Sequence, residues 1–164
     1  IRDRSKIYNR LLTQVDDAKQ LVIMGDSAGG QIALAFAQKL QKEQVSQPGH
    51  IVLISPVLDA TFDNSEARKY EKEDPILGIE GSKYFVKLWA GDLPLDDYKM
   101  SPINGNLEGL GHITMTIGTK ETLYPDVVKF SHMLNEKGIK HEFILGYSLF
   151  HIYPIFPIPE RNVS

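Results

Sequence analysis

Gly25-Asp26-Ser27-Ala28-Gly29-Gly30 sets one hydroxyl among glycines. The apolar run Leu21-Val22-Ile23-Met24 precedes it, and a run of helical character starts at Ala28. A serine hydroxyl becomes a nucleophile when it is held exposed and a neighbouring base takes its proton. A strand-to-helix turn meets the first condition. The glycines leave room for a tight turn, and the hydroxyl projects above a sheet. The helix N-terminus adds free N–H groups and a positive dipole end. In that arrangement the N–H of Ala28 is the expected donor to an oxyanion. The same residues also fit a plain small-residue turn or a phosphate loop. They lack the lysine of a P-loop and the spacing of a dinucleotide fingerprint.

The elements around this turn decide what can reach the serine. Residues Ser5 to Lys19 read as a helix, with Ile7, Leu11, Leu12 and Val15 as its apolar stripe. Leu21 to Met24 reads as a buried parallel strand. Ala28 to Gln44 reads as a helix, ended by Gln47-Pro48-Gly49. His50 to Ser55 is a second expected strand, stopped by Pro56. The polar stretch 59–111 holds one expected helix, Ser82 to Trp89, among loops. Ile113 to Ile117 is a third expected strand. Pro125 to Lys137 is a helix with Pro in its first turn and Gly138 as terminator. Glu142 to Leu145 is a fourth expected strand, and His151 to Ser164 is an irregular, Pro-rich tail. Strands alternating with helices predict an α/β domain, a parallel sheet flanked by helices. In such sheets the functional groups gather at the carboxyl ends of the strands.

That rule sorts the five histidines. His50, His112 and His141 each stand just before a strand, at the end of the sheet away from Ser27, and read as surface turn residues. His132 falls mid-helix and reads as solvated. His151 follows a strand and is the base candidate. An orienting carboxylate is also required. Glu121 follows the third strand directly and is the leading choice. Asp59, after the second strand, competes with it. So does Asp126, although its place in a first helical turn gives it another explanation, a charge suited to the helix dipole. The chain order would be Ser, acid, His.

Composition narrows the partners. The chain of 164 residues, 42% hydrophobic and 24% charged, has the make-up of one globular domain. A net charge of -3 with no basic block argues against nucleic acid as a partner. No apolar run approaches the roughly 20 residues of a membrane-spanning helix. Nor does the N-terminus read as a signal peptide. The absence of cysteine removes thiolate chemistry and Cys-type metal sites, and fits a cytoplasmic location. No metal or organic cofactor is expected.

Several segments, taken together, resemble one family. "LVIMGDSAGGQIALAFA" resembles the nucleophile elbow of the hormone-sensitive-lipase-like esterases of the α/β-hydrolase superfamily. "HIVLISPVLDATF" is similar to their next strand and its SP-x-x-D turn, and "YKMSPI" to the segment before the acid-bearing strand. "IGTKETLYPD" resembles the acid loop and "FHIYPIFPIPE" the histidine loop. The resemblance covers nearly the whole chain in the right order. It implies Ser27 as nucleophile, Glu121 as acid, His151 as base and Ala28 as oxyanion donor, in a hydrolase of small, short-chain carboxylic esters. Glu in the acid position departs from the commoner Asp. The family's HGG-type oxyanion segment, which precedes the elbow, has no counterpart here. The resemblance therefore implies one truncated domain over residues 1–164, strands 5 to 8 of an eight-stranded fold, whose activity is in doubt. A catalytically inactive remnant is the alternative. Strand Leu21–Met24 would lack its neighbour, so a homodimer through it, or association with a separate N-terminal half, is expected.

Overall fold

The computed structural model describes residues 2–157. In chain order its elements are α1 (Arg2–Leu12), β1 (Val22–Asp26), α2 (Ala28–Lys42), β2 (His50–Ile54), α3 (Ala67–Tyr70), α4 (Ile79–Ala90), β3 (His112–Gly118), α5 (Tyr124–Glu136) and β4 (His141–Gly146). Short 3-10 turns lie at Ala18–Gln20, Pro102–Asn104 and Tyr153–Ile155. The four strands form one parallel sheet in the order β1-β2-β3-β4, flanked by helices. Because all the strand pairs are parallel, all four strand C-termini share one edge.

The register sets the sheet's two faces. Ile23, Ile51, Ile113 and His141 lie in one row across the strands, and Gly25, Leu53, Met115 and Phe143 form another. Ile51, Leu53, Ile113, Met115 and Ile117 are fully buried in one core, together with Leu34 of α2 and Phe130 and Leu134 of α5. The alternate positions face the other way. There Val22 and Met24 are 57% and 66% exposed, while Val52, Ile54 and Ile144 are only half-buried. Continuous apolar strands are built to be covered on both faces. Among the described residues, only one face is fully covered.

Several boundaries differ from the sequence expectation. The expected helix Ser5–Lys19 stops at Leu12, where the Thr13 hydroxyl donates to the Arg10 carbonyl at 2.7 Å. Asp17 then starts a separate 3-10 turn by accepting from the Lys19 N–H. The stripe also divides. Tyr8 packs edge-on against Phe36 of α2, whereas Ile7 and Leu11 stay exposed. The first strand begins at Val22 and runs through Gly25 to Asp26, because its ladder to β2 continues that far. Helix α4 begins three residues before Ser82, since the Glu71 carboxylate accepts the Ile79 N–H at 2.7 Å. A second helix, α3, lies in the stretch expected to be loop. The end of the Pro-rich tail, 158–164, lies outside the described residues.

Candidate active site

Each of the four strands delivers one side chain to the common carboxyl edge: Ser27 after β1, Ser55 after β2, Glu121 after β3 and His151 after β4. The turn at Ser27 is tight. Its φ of 51° and ψ of −119° lie outside the regions a non-glycine residue prefers. The surroundings hold it there. The Ser27 N–H donates to Ile54 O at 2.8 Å, and its carbonyl accepts from the N–H groups of Gly30, Gln31 and Val57. Two glycines are needed by close approach. A Cβ on Gly25 would lie 2.2 Å from the Gly29 carbonyl oxygen, and one on Gly30 would lie 2.7 Å from the Pro56 Cβ. Gly29 is different, since a Cβ there would meet only Asp26 Oδ1, at 3.6 Å.

His151 bridges the serine and the acid. Its Nε2 is 2.9 Å from Ser27 Oγ, and its Nδ1 is 2.7 Å from Glu121 Oε2. A carboxylate only accepts, so Nδ1 carries the proton and Nε2 is left to accept from the Ser27 hydroxyl. Glu121 is wholly buried. Its second oxygen, Oε1, accepts from the Gly118 N–H at 2.6 Å and from the Ser55 hydroxyl at 2.8 Å. The buried carboxylate is thus compensated by three donors. The acid and histidine loops are also tied together directly. Thr119 N–H donates to Gly146 O, Lys120 N–H to Leu149 O, and Ser148 N–H to the Thr119 hydroxyl. Ala28, the first residue of α2, is exposed beside Ser27, and its N–H has no intrahelical acceptor.

The other candidates are placed elsewhere. Asp59 accepts from the Thr61 N–H and hydroxyl and from the Ser101 hydroxyl, and so holds its own loop. Asp126 stands in the first helical turn, where a negative charge suits the helix dipole. It is buried in the first turn of α5 and accepts from Asn64 at 2.7 Å. Burial pushes its carboxyl up. The bond from Asn64 pulls partly back, and nearby Asp59 raises it again. His50, His112 and His141 open strands at the opposite edge rather than sitting in turns. His141 is fixed there by Ile139 O and the Ser131 hydroxyl. His132 is exposed on α5.

Ser55 escaped the sequence reading. It is fully buried, with φ 45°. Besides donating to Glu121, its hydroxyl accepts the Ile152 N–H at 3.0 Å. Ile152, next to His151, is itself left-handed at φ 54°, a rare state for a β-branched residue. One hydroxyl therefore joins the acid to the histidine loop. The available signal was its position: Ser55 directly follows a strand, as Ser27 and Glu121 do. Asp74 was also missed. It accepts the Thr122 N–H at 2.8 Å and ties the 59–111 stretch to the acid loop.

A family model described as the alpha/beta hydrolase fold matches residues 1–155. An esterase of Acinetobacter venetianus is 30% identical over 151 residues, covering 92% of this chain and 50% of that protein. An acetyl-hydrolase of Streptomyces hygroscopicus is 23% identical over 168 residues, covering 100% of this chain and 56% of its own. Among solved structures, a Staphylococcus aureus protein assigned as an esterase superposes with a TM-score of 0.90 at 37% identity, over 94% of this chain and 52% of that one. A hormone-sensitive-lipase homologue from a metagenome library shares the fold, with a TM-score of 0.85 at 23% identity, over 91% and 51% of the two chains. This chain spans about half the length of these relatives.

Proposed function

The chain belongs to the α/β-hydrolase fold family, and from that premise we propose that it carries the nucleophile, base and acid of a serine carboxylesterase acting on short-chain esters. The observation that carries the reading is the line Glu121–His151–Ser27, with contacts of 2.7 and 2.9 Å between residues far apart in sequence. Ser27 Oγ attacks the ester carbonyl carbon while His151 Nε2 takes its proton. The carbonyl electron pair becomes an oxyanion, to which the Ala28 N–H donates. His151 returns the proton to the leaving alcohol as the C–O bond breaks, leaving Ser27 acylated. Water, deprotonated by the same nitrogen, then releases the acid. Glu121 holds the imidazole in the required tautomer and stabilises its cation. Ser55 is a positioning residue, since its hydroxyl bonds Glu121 and the Ile152 N–H of the histidine loop and not Ser27 or His151 themselves.

Ala28 is the one oxyanion donor this reading assigns within the chain. A missing donor typically lowers turnover by ~10²–10³. The 164 residues alone are therefore expected to hydrolyse p-nitrophenyl acetate slowly, and Ser27→Ala to remove that activity. Turnover of roughly 1–10³ per second would show that the oxyanion site is already complete. An inactive half-domain is the second reading, favoured by the exposed Val22 and Met24 on the edge strand. Failure of a fluorophosphonate to label Ser27 would select it. Under either reading, we propose that the β1 edge pairs with a second copy of the chain.

A further inference from the structure

Asp74 stands at the head of the turn that leads into α4, and its two carboxylate oxygens serve different purposes. Oδ1 accepts the N–H groups of Ile76 and Leu77, both at 2.9 Å. Those two bonds make a local turn of the kind an aspartate commonly starts. Oδ2 reaches out of the turn and accepts the N–H of Thr122, 48 residues away, at 2.8 Å. The Thr122 hydroxyl in turn donates to the Leu77 carbonyl at 3.2 Å. The segment does not need that second oxygen to stay in place. Leu77 packs against the core, Ile79 is buried in it, and the Ile79 N–H has its own acceptor in Glu71.

Thr122 directly follows Glu121. The peptide joining them is planar, so its N–H and C=O turn together. Asp74 holds the N–H, and the C=O accepts from the Tyr124 N–H at 3.0 Å. Both polar groups of one peptide are therefore fixed beside the α-carbon that carries the acid. Thr122 is 1% exposed, so no solvent stands ready to replace Asp74 at its N–H. We propose that Asp74 is a positioning residue for the acid: by fixing this peptide it aims Glu121 at His151 Nδ1. The proposal rests on the triad reading of Ser27, His151 and Glu121, and adds to it a residue from the 59–111 stretch.

Two variants break the link while leaving the turn an acceptor. Asp74→Ser keeps a hydroxyl for the turn but lacks the reach to Thr122. Asp74→Asn has one oxygen for what two oxygens did. Glu71→Ala is the control, since it loosens the same segment at Ile79 and leaves Thr122 bonded. The first readout needs no turnover. It is the proton on His151 Nδ1, drawn far downfield in the proton NMR spectrum by its 2.7 Å bond to Glu121. The second is the rate at which a fluorophosphonate labels Ser27. Both Asp74 variants are expected to move that resonance upfield. They should also slow labelling by up to about 10²-fold, the scale expected when a group is misplaced by roughly 1 Å. Glu71→Ala should lower the urea midpoint and change neither readout. An unmoved resonance with unchanged labelling in the Asp74 variants overturns the proposal, as does equal disturbance by Glu71→Ala. A wild type that shows the downfield proton, loses it in the Asp74 variants and is never labelled upholds the positioning and refutes the esterase reading.

Discussion

At the scale of single residues, the proposed chemistry depends on buried polar atoms with few alternatives. Glu121→Gln replaces an acceptor with an amide that can donate to His151 Nδ1 and so favours the wrong tautomer. Labelling of Ser27 by a fluorophosphonate is expected to slow about 10³–10⁴-fold, with unchanged circular dichroism. Ser55→Ala strands the Ile152 N–H and removes one donor from Glu121. Urea denaturation should show a loss of ~1–3 kcal/mol, accompanied by slower labelling. A loss of stability with no change in labelling would limit Ser55 to a structural role. Asp126 makes a prediction about pH. Its carboxyl is raised on folding, so the folded chain holds that proton more tightly than the unfolded chain does. The contribution is fully present below the ordinary value of 3.8 and is lost as pH rises through the folded one. Asp126→Asn should therefore gain stability over wild type at pH 7, and the gain should disappear toward pH 4. A difference independent of pH in parallel denaturation curves would contradict this.

Among the elements, the turn from β1 into α2 makes the sharpest demand on sequence. The glycines there are not equivalent. Gly25→Ala drives a Cβ into backbone, which no rotamer change relieves, and should cost about 1–3 kcal/mol or more. Gly29→Ala meets no such obstacle. In the isolated chain it should be tolerated, and even gain roughly 0.5–1 kcal/mol from reduced chain entropy. Thermal denaturation of the two variants side by side checks the contrast. Equal damage from both would mean that the open side of Gly29 is occupied.

For the whole molecule, the unmet demand is the β1 edge. Its outer N–H and C=O groups are unpaired within the sheet, and Val22, Met24, Ile7 and Leu11 expose apolar surface around it. Such an edge recruits another strand. A two-fold axis would pair β1 antiparallel with its copy and close the assembly as an isologous dimer. Light scattering on the purified chain should give twice the monomer mass, and Met24→Lys should return it to the monomer. A wild-type monomer at micromolar concentration would reject this assembly.

The parallel α/β architecture was legible in the sequence because its signals are local. Four short apolar runs, each stopped by Gly or Pro and separated by helical periodicity, leave few other folds. The glycine-flanked turn between strand and helix pointed to Ser27, and the carboxyl-edge rule left His151 among the histidines, since only the chain order of strand and loop was needed. Features set by contacts across the sheet were not legible. Helix α1 buried Tyr8 rather than Ile7 and Leu11 because Phe36 of α2 stood opposite it. Helix α4 began at Ile79 because Glu71 reached it. The choice among Glu121, Asp59 and Asp126 was likewise tertiary. Each of the three acids could follow a strand or open a helix, but only Glu121 lies where Gly118, Ser55 and His151 converge on one carboxylate. Ser55 was invisible for the same reason. A serine before a proline reads as punctuation until two loops more than sixty residues away, 118–121 and 151–152, close over its hydroxyl. Local periodicity determined the elements, and the crossing of distant loops over one sheet edge determined the site.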